Sequence, residues 1–540
     1  MAKVTKALYG ENGWREKLYR LANLVVKISG CAICIGLVWY AMRYTQFILP
    51  YGDEISLETK DSMWKNIVCF LVAGAFGTGL FWLEKKLDFL IKYRISMSAL
   101  LIAMAWVGIW SFWWILSADR VPVGDQAYVY GAASYFQEGN YYFFGKGGYL
   151  GMFPYQMGLV LLMELLFLFV GPYNYFAFEV ICALMAVGIV YLGYRVVSAV
   201  AEGMTAQVLY CVFMMGCLPM VFYTSWVYGD LPSIFFALLA FDAFLKYEKD
   251  KKKRWLVLLA TAVILAMLVR QHSWIFVLAL ILAGGIHAVK KKDICLGMVL
   301  LSLLLLPQLV YAGIYEMYEI RSGEEKCEGI PYVATIAMGL QESRRGNGWY
   351  NNYHKDIYGQ AEFDLELTSD IAKQEIRNRL KVFRNNPSYA VWFFKSKVLS
   401  QWNQPLCQSV YFNTNYDVPS TPPESGSLAE SISSGNFSKV LALADRMQFI
   451  IYVGMLAYFI FCVKRDSNLL HHVLVITMIG GFLFSIIWES KARYIFPYYV
   501  LMFSGAAIGY LGMIQKIAET IGKIRKPRQE DNVIEFRKIA

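Results

Sequence analysis

The run PYQMGLVLLMELLFLFV, residues 154–170, decides how this chain is threaded. It is apolar enough to enter a bilayer but shorter than the ~20 residues that a spanning helix needs. Were it to span, every later loop would change side, and the basic runs 246–254 (KYEKDKKKR) and 290–292 would face outward. If it lies in the outer interface instead, the clusters 84–94, Arg195, 246–254, 290–293, 464–466 and the tail from Lys516 all share one side. That alternation is the one the positive-inside bias favours. Glu164 sits at the centre of the run, and an unpaired carboxylate at mid-bilayer costs about 2.5–3.5 kcal/mol on insertion scales. Residues 154–170 are therefore expected to form an interfacial or re-entrant helix.

Around this run, the chain of 540 residues is 57% apolar and 17% charged, whereas an average soluble domain carries ~25% charge. That balance excludes disorder and an ordinary soluble enzyme. Apolar runs of spanning length fall at 21–42, 64–83, 96–117, 174–197, 205–223, 231–247, 255–269, 273–289, 294–315, 447–463, 469–487 and 494–515. They predict an all-α polytopic membrane protein with about twelve transmembrane helices, interfacial helices on the outer face and a large outer loop in the C-terminal half. The expected organisation is an N-terminal two-helix membrane extension (1–95), a membrane core (96–315) with a first outer loop (118–153), an extracytoplasmic loop subdomain (316–445), C-terminal membrane helices (446–515) and a basic cytoplasmic tail (516–540). The start of the chain is basic and lacks a cleavable signal pattern, so both termini are expected in the cytoplasm, with the protein multi-pass in the plasma membrane.

The net charge of +10 is spread in short clusters between apolar runs, which argues against nucleic acid and for membrane lipids as the partner surface. Most of the 10 cysteines lie inside apolar runs and read as small hydrophobes. Cys31 and Cys34 form a C-x-x-C within a spanning run, where redox work has neither water nor partner. Cys327 and Cys407 lie on the outer side, where a disulfide is permitted but spacing alone leaves their approach undecided. In the long loop, 364–394 reads as helix and 419–434 as loop. No internal repeat is evident, which weakens the case for an inverted-repeat transporter.

The polar residues at the outer mouth are the informative ones. Pro122 and Gly124 turn the chain, and Asp125 then opens a helix through Phe136. A carboxylate there is an ordinary helix cap, but Tyr128, Tyr130, Tyr135 and Phe136 follow at spacings that place rings on the interface-facing side. Asp230, after Gly229, admits the same two readings. Arg270 and His272 end one helix on the outer side, and Lys491 and Arg493 end another, with Glu489 beside them. A single arginine at a helix end snorkels to headgroups. Two cationic clusters outside, against the positive-inside bias, are less readily explained that way.

The order of these elements resembles the GT-C glycosyltransferases. The motifs are GDQAYVYGAASYFQEG (124–139), FPYQMGLVLLMELLFLFVG (153–171), FAFEVICALMAVGIVYLGYR (176–195), YTSWVYGDLP (223–232), VRQHSW (269–274) and ESKARYIFP (489–497). Within that superfamily the chain is similar to the protein O-mannosyltransferase and aminoarabinose-transferase branch and its Gram-positive relatives that decorate cell-wall polymers. The resemblance covers roughly 96–500; the first two helices have no counterpart in it.

The resemblance implies an inverting transferase that moves a sugar from a polyprenyl-phosphate carrier to a glycan or lipid acceptor of the cell envelope, on the extracytoplasmic face. It implies Asp125 as the base, Arg270, His272, Lys491 and Arg493 as ligands of the donor phosphate, and Asp230 and Glu489 as supporting acids. Partial desolvation is expected to move the Asp125 pKa toward the working pH. Neither acid forms a D-x-D, and Gln126 stands beside Asp125, so no catalytic metal and no cofactor are expected. In the stretch 337–353, Trp349, Tyr350 and Asn351 are candidate sugar or acceptor contacts, the alternative being aromatics resting on the membrane surface. The rival functions are a transporter or flippase of lipid-linked glycans, which needs no base, and a phospholipid or phosphoglycolipid transferase.

Overall fold

The computed structural model describes residues 13–118, 121–325, 327–414 and 426–525. Helices dominate, and the sheet among these residues is one antiparallel hairpin of Tyr44–Phe47 with Leu57–Lys60. Among the described residues nine helices or joined helix pairs are long and apolar enough to cross a membrane: Gly13–Ala41, Met63–Glu84, Phe89–Ser117, Tyr175–Val200, Gln271–Lys291, Ile294–Ser322, Phe437–Cys462, Leu469–Ile487 and Ala492–Gly522. This is an all-α polytopic membrane protein, with fewer certain spans than the dozen expected. The expected span 205–223 is a bent pair, Met204–Met215 and Leu218–Ser225, turned by 53°. The expected spans 231–247 and 255–269 are helices too, Asp230–Asp250 and Lys253–Val269. The first carries several charges and the second is only 17 residues long, and neither feature registers in a plain reading of apolar density.

The last spanning helix is the hub, with 72% of its most apolar window buried against 11% for Met63–Glu84 at the periphery. Small residues let it approach closely: a Cβ on Gly509 would lie 2.0 Å from the carbonyl oxygen of Gly454. The first two helices are not detached from this core, since Gly30 faces the Phe459 ring and Gly77 faces Ile514 and Leu209.

The basic segments converge at one end of the bundle. Lys290 pairs with Glu16, Arg20 with Asp466, and Lys251 with Asp293. The opposite end carries the hairpin, the helix Asp125–Gln137 and the described helices between Tyr332 and Trp402.

Residues 154–170 form a short turn and the helix Met157–Val170, ended by Gly171 at φ +88°. The Glu164 carboxylate is not unpaired, as its insertion cost presumed. Arg321 grips it through two nitrogens at 2.6 and 3.1 Å, and the Tyr318 hydroxyl donates to it at 2.5 Å.

Three local expectations need correction. The helix read over 364–394 is two helices, Leu365–Asn385 and Pro387–Trp402, because Pro387 cannot continue the first and Asn386 caps the second. Of the loop read at 419–434, residues 419–425 lie outside the described residues. Leu428–Ser433 is helical, with Ser427 accepting from the Glu430 amide and Glu430 accepting from Gly426. Phe136 does not face outward; it is buried against Tyr141 and Tyr318. Cys327 and Cys407 are both free, so no bridge joins them, and Cys31 and Cys34 are free as well.

Candidate active site

Gly124 takes φ +62°, a conformation that favours glycine, and is the residue that caps the helix Asp125–Gln137. Asp125 is thus the first helical residue and not the cap. Its carboxylate turns instead to Arg493, 3.3 Å away. Asp230 behaves alike. Gly229 is the cap, and a Cβ there would lie 1.8 Å from the Val269 carbonyl oxygen. That close approach sets Asp230 beside Arg270, with Oδ1 3.2 Å from Nε, while the Trp226 indole donates to Oδ2 at 3.0 Å. Neither aspartate is a simple cap.

The two arginines form one unit. Arg270 lies 4.9 Å from the Tyr228 ring and 5.7 Å from Tyr494; Arg493 lies 5.3 and 5.6 Å from the same rings. Arg493 also packs on Trp226 and Phe412. Aromatic faces stabilise guanidinium charge without neutralising it. The exposures are unequal: the Asp125 side chain keeps 39% and Arg493 only 3%, whereas Asp230 keeps 1% and Arg270 7%. Asp230–Arg270 is therefore a sealed pair, and Asp125 is the acid open to solvent. Among the described residues the buried Arg493 Nε has no hydrogen-bond partner.

Lys491 stands 3.9 Å from Glu489 and 5.4 Å from the Tyr350 ring. Glu489 accepts from the Tyr494 hydroxyl at 3.0 Å through one oxygen, and its other oxygen is buried without a hydrogen-bond partner among the described residues. Burial raises the Glu489 carboxyl, against Lys491 and Arg493. His272 is stacked on Tyr494 at 5.0 Å and set edge-on to Phe484 and Trp488. Its Nε2 also lacks a hydrogen-bond partner among the described residues.

Of the three candidates in the long loop, only two remain available. Trp349 is fully buried, its indole donates to Ser400 at 2.8 Å, and its backbone bridges to Ser490. That packing leaves no ring face for a sugar and makes Trp349 the anchor that docks the loop on the Glu489–Arg493 strap. Tyr350 is half-buried and ringed by Lys491, Lys355 and Arg345. Asn351 is exposed and bonded to Gln341.

Sequence reading missed Lys355. It lies on the helix Tyr353–Gln360, 5.2 Å from the Phe153 ring and 5.9 Å from Tyr350. No motif marks it, because the fold alone carries that helix to the site. Burial lowers the Lys355 pKa, with Asp125 opposing. Also missed were Tyr228, to whose hydroxyl Gln156 donates, and the role of Gln126, whose side-chain oxygen accepts from the Val227 amide at 2.6 Å. Those bonds fasten the first loop to the 226–230 segment.

The electrostatics correct one expectation. Burial raises the Asp125 carboxyl, but Arg493, Lys491 and Lys355 together outweigh it and hold the pKa below the usual carboxylate value, away from neutrality. His471 and His472 lie far from this cluster, beside Tyr19, Asn468 and Ser467. Among the described residues no group of three or more His, Cys, Asp or Glu could hold a metal ion. No family model matches the chain, and no curated protein matches it.

Proposed function

We propose that this protein is an inverting glycosyltransferase that takes a sugar from a polyprenyl-phosphate carrier and delivers it to a glycan or lipid acceptor of the cell envelope. The observation that carries this reading is the pairing of an open carboxylate, Asp125, with a buried guanidinium, Arg493, 3.3 Å away and still short of one hydrogen-bond partner. One group suits a hydroxyl proton and the other an oxyanion.

In this mechanism the carrier phosphate enters between Arg493, Lys491 and Lys355, with Arg270 and the imidazole of His272 behind. The acceptor hydroxyl oxygen attacks the anomeric carbon, the bond from that carbon to the phosphate oxygen breaks, and configuration inverts. The leaving polyprenyl phosphate takes the electron pair onto the cationic cluster, and Asp125 takes the hydroxyl proton. Arginine suits the phosphate because its planar fork matches two oxygens. Phosphate on Arg493 and Lys491 also offsets the cations that depress Asp125, so donor binding strengthens the base when it is needed. Tyr350 and Asn351 line the mouth, where a sugar or acceptor passes.

The same reading places the protein in the plasma membrane with about twelve spans, both termini in the cytoplasm and the site outside. The convergence of basic segments at the end opposite Asp125 supports that orientation.

The test uses purified full-length protein in lipid nanodiscs with radiolabelled polyprenyl-phosphate sugar and a cell-envelope glycolipid fraction. Product is expected with wild type, with a loss of about a hundredfold to ten-thousandfold in Asp125→Asn. Movement of the labelled lipid across the bilayer without product would favour a flippase instead.

A further inference from the structure

The first two helices lie outside the resemblance, yet the turn between them reaches the site. Glu54, between the two hairpin strands, is only 6% exposed. One carboxylate oxygen forms an ion pair with Arg345, and the other accepts from the Gln408 side-chain amide at 2.8 Å. Gln408 is itself buried, and its side-chain oxygen accepts from the backbone N–H of Arg493 at 3.1 Å. Arg345 lies 5.4 Å from the Tyr350 ring. A single buried carboxylate thus touches two arms, one ending at Arg493 and one at Tyr350.

The arm through Gln408 is held under strain. Cys407 and Gln408 take φ values of +49° and +60°, consecutive left-handed positions that neither residue favours. Such geometry persists only where surrounding contacts over-determine it. Here the Tyr223 hydroxyl donates to the Cys407 carbonyl at 2.5 Å, and Glu54 and Arg493 bracket the Gln408 side chain. The hairpin is fixed in register with this loop: the Gln46 amide donates to Asn403 and the Ser56 amide donates to Arg345.

We infer that Glu54 is a positioning residue for the site: through Gln408 it sets the backbone of Arg493, and through Arg345 it sets Tyr350. The N-terminal two-helix element is then a working wall of the site, delivering one carboxylate to the far side of the phosphate-binding cluster. Glu54 touches no reacting atom. Its effect on transfer rests on the glycosyl-transfer reading, whereas its effect on Arg493 does not.

Hydrogen exchange read by mass spectrometry on the full chain in nanodiscs separates the two. In Glu54→Ala, peptides covering 343–352 and 489–496 are expected to exchange at least tenfold faster, with peptides from 500–515 unchanged. In Glu54→Gln, which still accepts from Gln408 but loses the charge on Arg345, only 343–352 is expected to loosen. Asp53→Asn, at the neighbouring exposed pair with Arg344, is expected to match wild type. Wild-type exchange at 343–352 in both Glu54 variants would overturn the inference, as would equal loosening across the whole bundle. On the activity side, Glu54→Ala is expected to raise the donor KM about tenfold with kcat kept within a few-fold. If wild type transfers no sugar, the reading of function fails while the exchange pattern still decides Glu54.

Discussion

The carboxylate of Asp125 and the guanidinium of Arg493 meet at 3.3 Å across 368 residues of sequence, one at a helix start in the first loop and the other in the turn that opens the last spanning helix. Their pairing joins the two halves of the chain at the point where the proposed chemistry needs opposite charges. The partner pair Asp230–Arg270 is equally close but closed to solvent.

That difference in burial predicts different failures for the two arginines. Arg270→Ala strands a carboxylate that is 1% exposed, and breaking a buried pair costs about 3–5 kcal/mol. Arg493→Ala leaves Asp125 in reach of water and should cost less stability. Thermal unfolding in detergent should therefore show the larger drop in Tm for Arg270→Ala. Equal drops would mean that the exposures do not govern the pairs.

For donor affinity Arg493 should matter in its own right. Losing a hydrogen bond to a charged group costs about 1.5–3 kcal/mol, roughly one to two orders of magnitude in donor Kd. Arg493→Lys should recover only part, because the fork is lost. Wild-type donor binding in Arg493→Ala would remove this residue from the phosphate site.

The pH profile follows from the sign of the Asp125 shift. Its carboxyl is held below the usual value by Arg493, Lys491 and Lys355, so the proposed base stays ionised and kcat/KM should fall only at pH below the ordinary carboxylate range. Lys355→Met removes one cation, raises the Asp125 pKa and should move the acid limb upward. A limb that stays in place or moves down would show that Lys355 does not act on Asp125.

Neighbouring aromatics should separate cleanly. Trp349→Phe loses the bond to Ser400 and should lower loop stability by about 0.5–1.5 kcal/mol with little change in kcat. Tyr350→Ala should raise KM for donor or acceptor with little change in Tm. The reverse pattern, read from kinetics and unfolding on the same preparations, would restore Trp349 as the contact residue.

Orientation is checked by labelling. With the native cysteines replaced, a single cysteine at Tyr173 should react with an impermeant maleimide added to intact cells, and one at Lys251 only after permeabilisation. Outside labelling at Lys251 would make 154–170 a span and move Asp230 to the cytoplasm, away from Asp125.

What the sequence alone determined here is whatever depends on local composition. Apolar runs separated by basic clusters specify helices at the expected positions, nine of them, among the described residues, long and apolar enough to cross a membrane, because a helix satisfies its own backbone groups in lipid. Gly124 before Asp125 and Gly229 before Asp230 likewise mark helix starts. Tertiary structure alone decided the partners. Nothing local says that Asp125 faces Arg493, that Glu164 is held by Arg321, that Trp349 is sealed on Ser400, or that Lys355 and Glu54 belong to the site. Charges at an interface are individually tolerable as caps or snorkelling ends, so their identity carries no signal until packing brings them within a few ångströms. At that distance, and out of water, Coulomb energy grows several-fold and the pairing rather than the residue sets the chemistry.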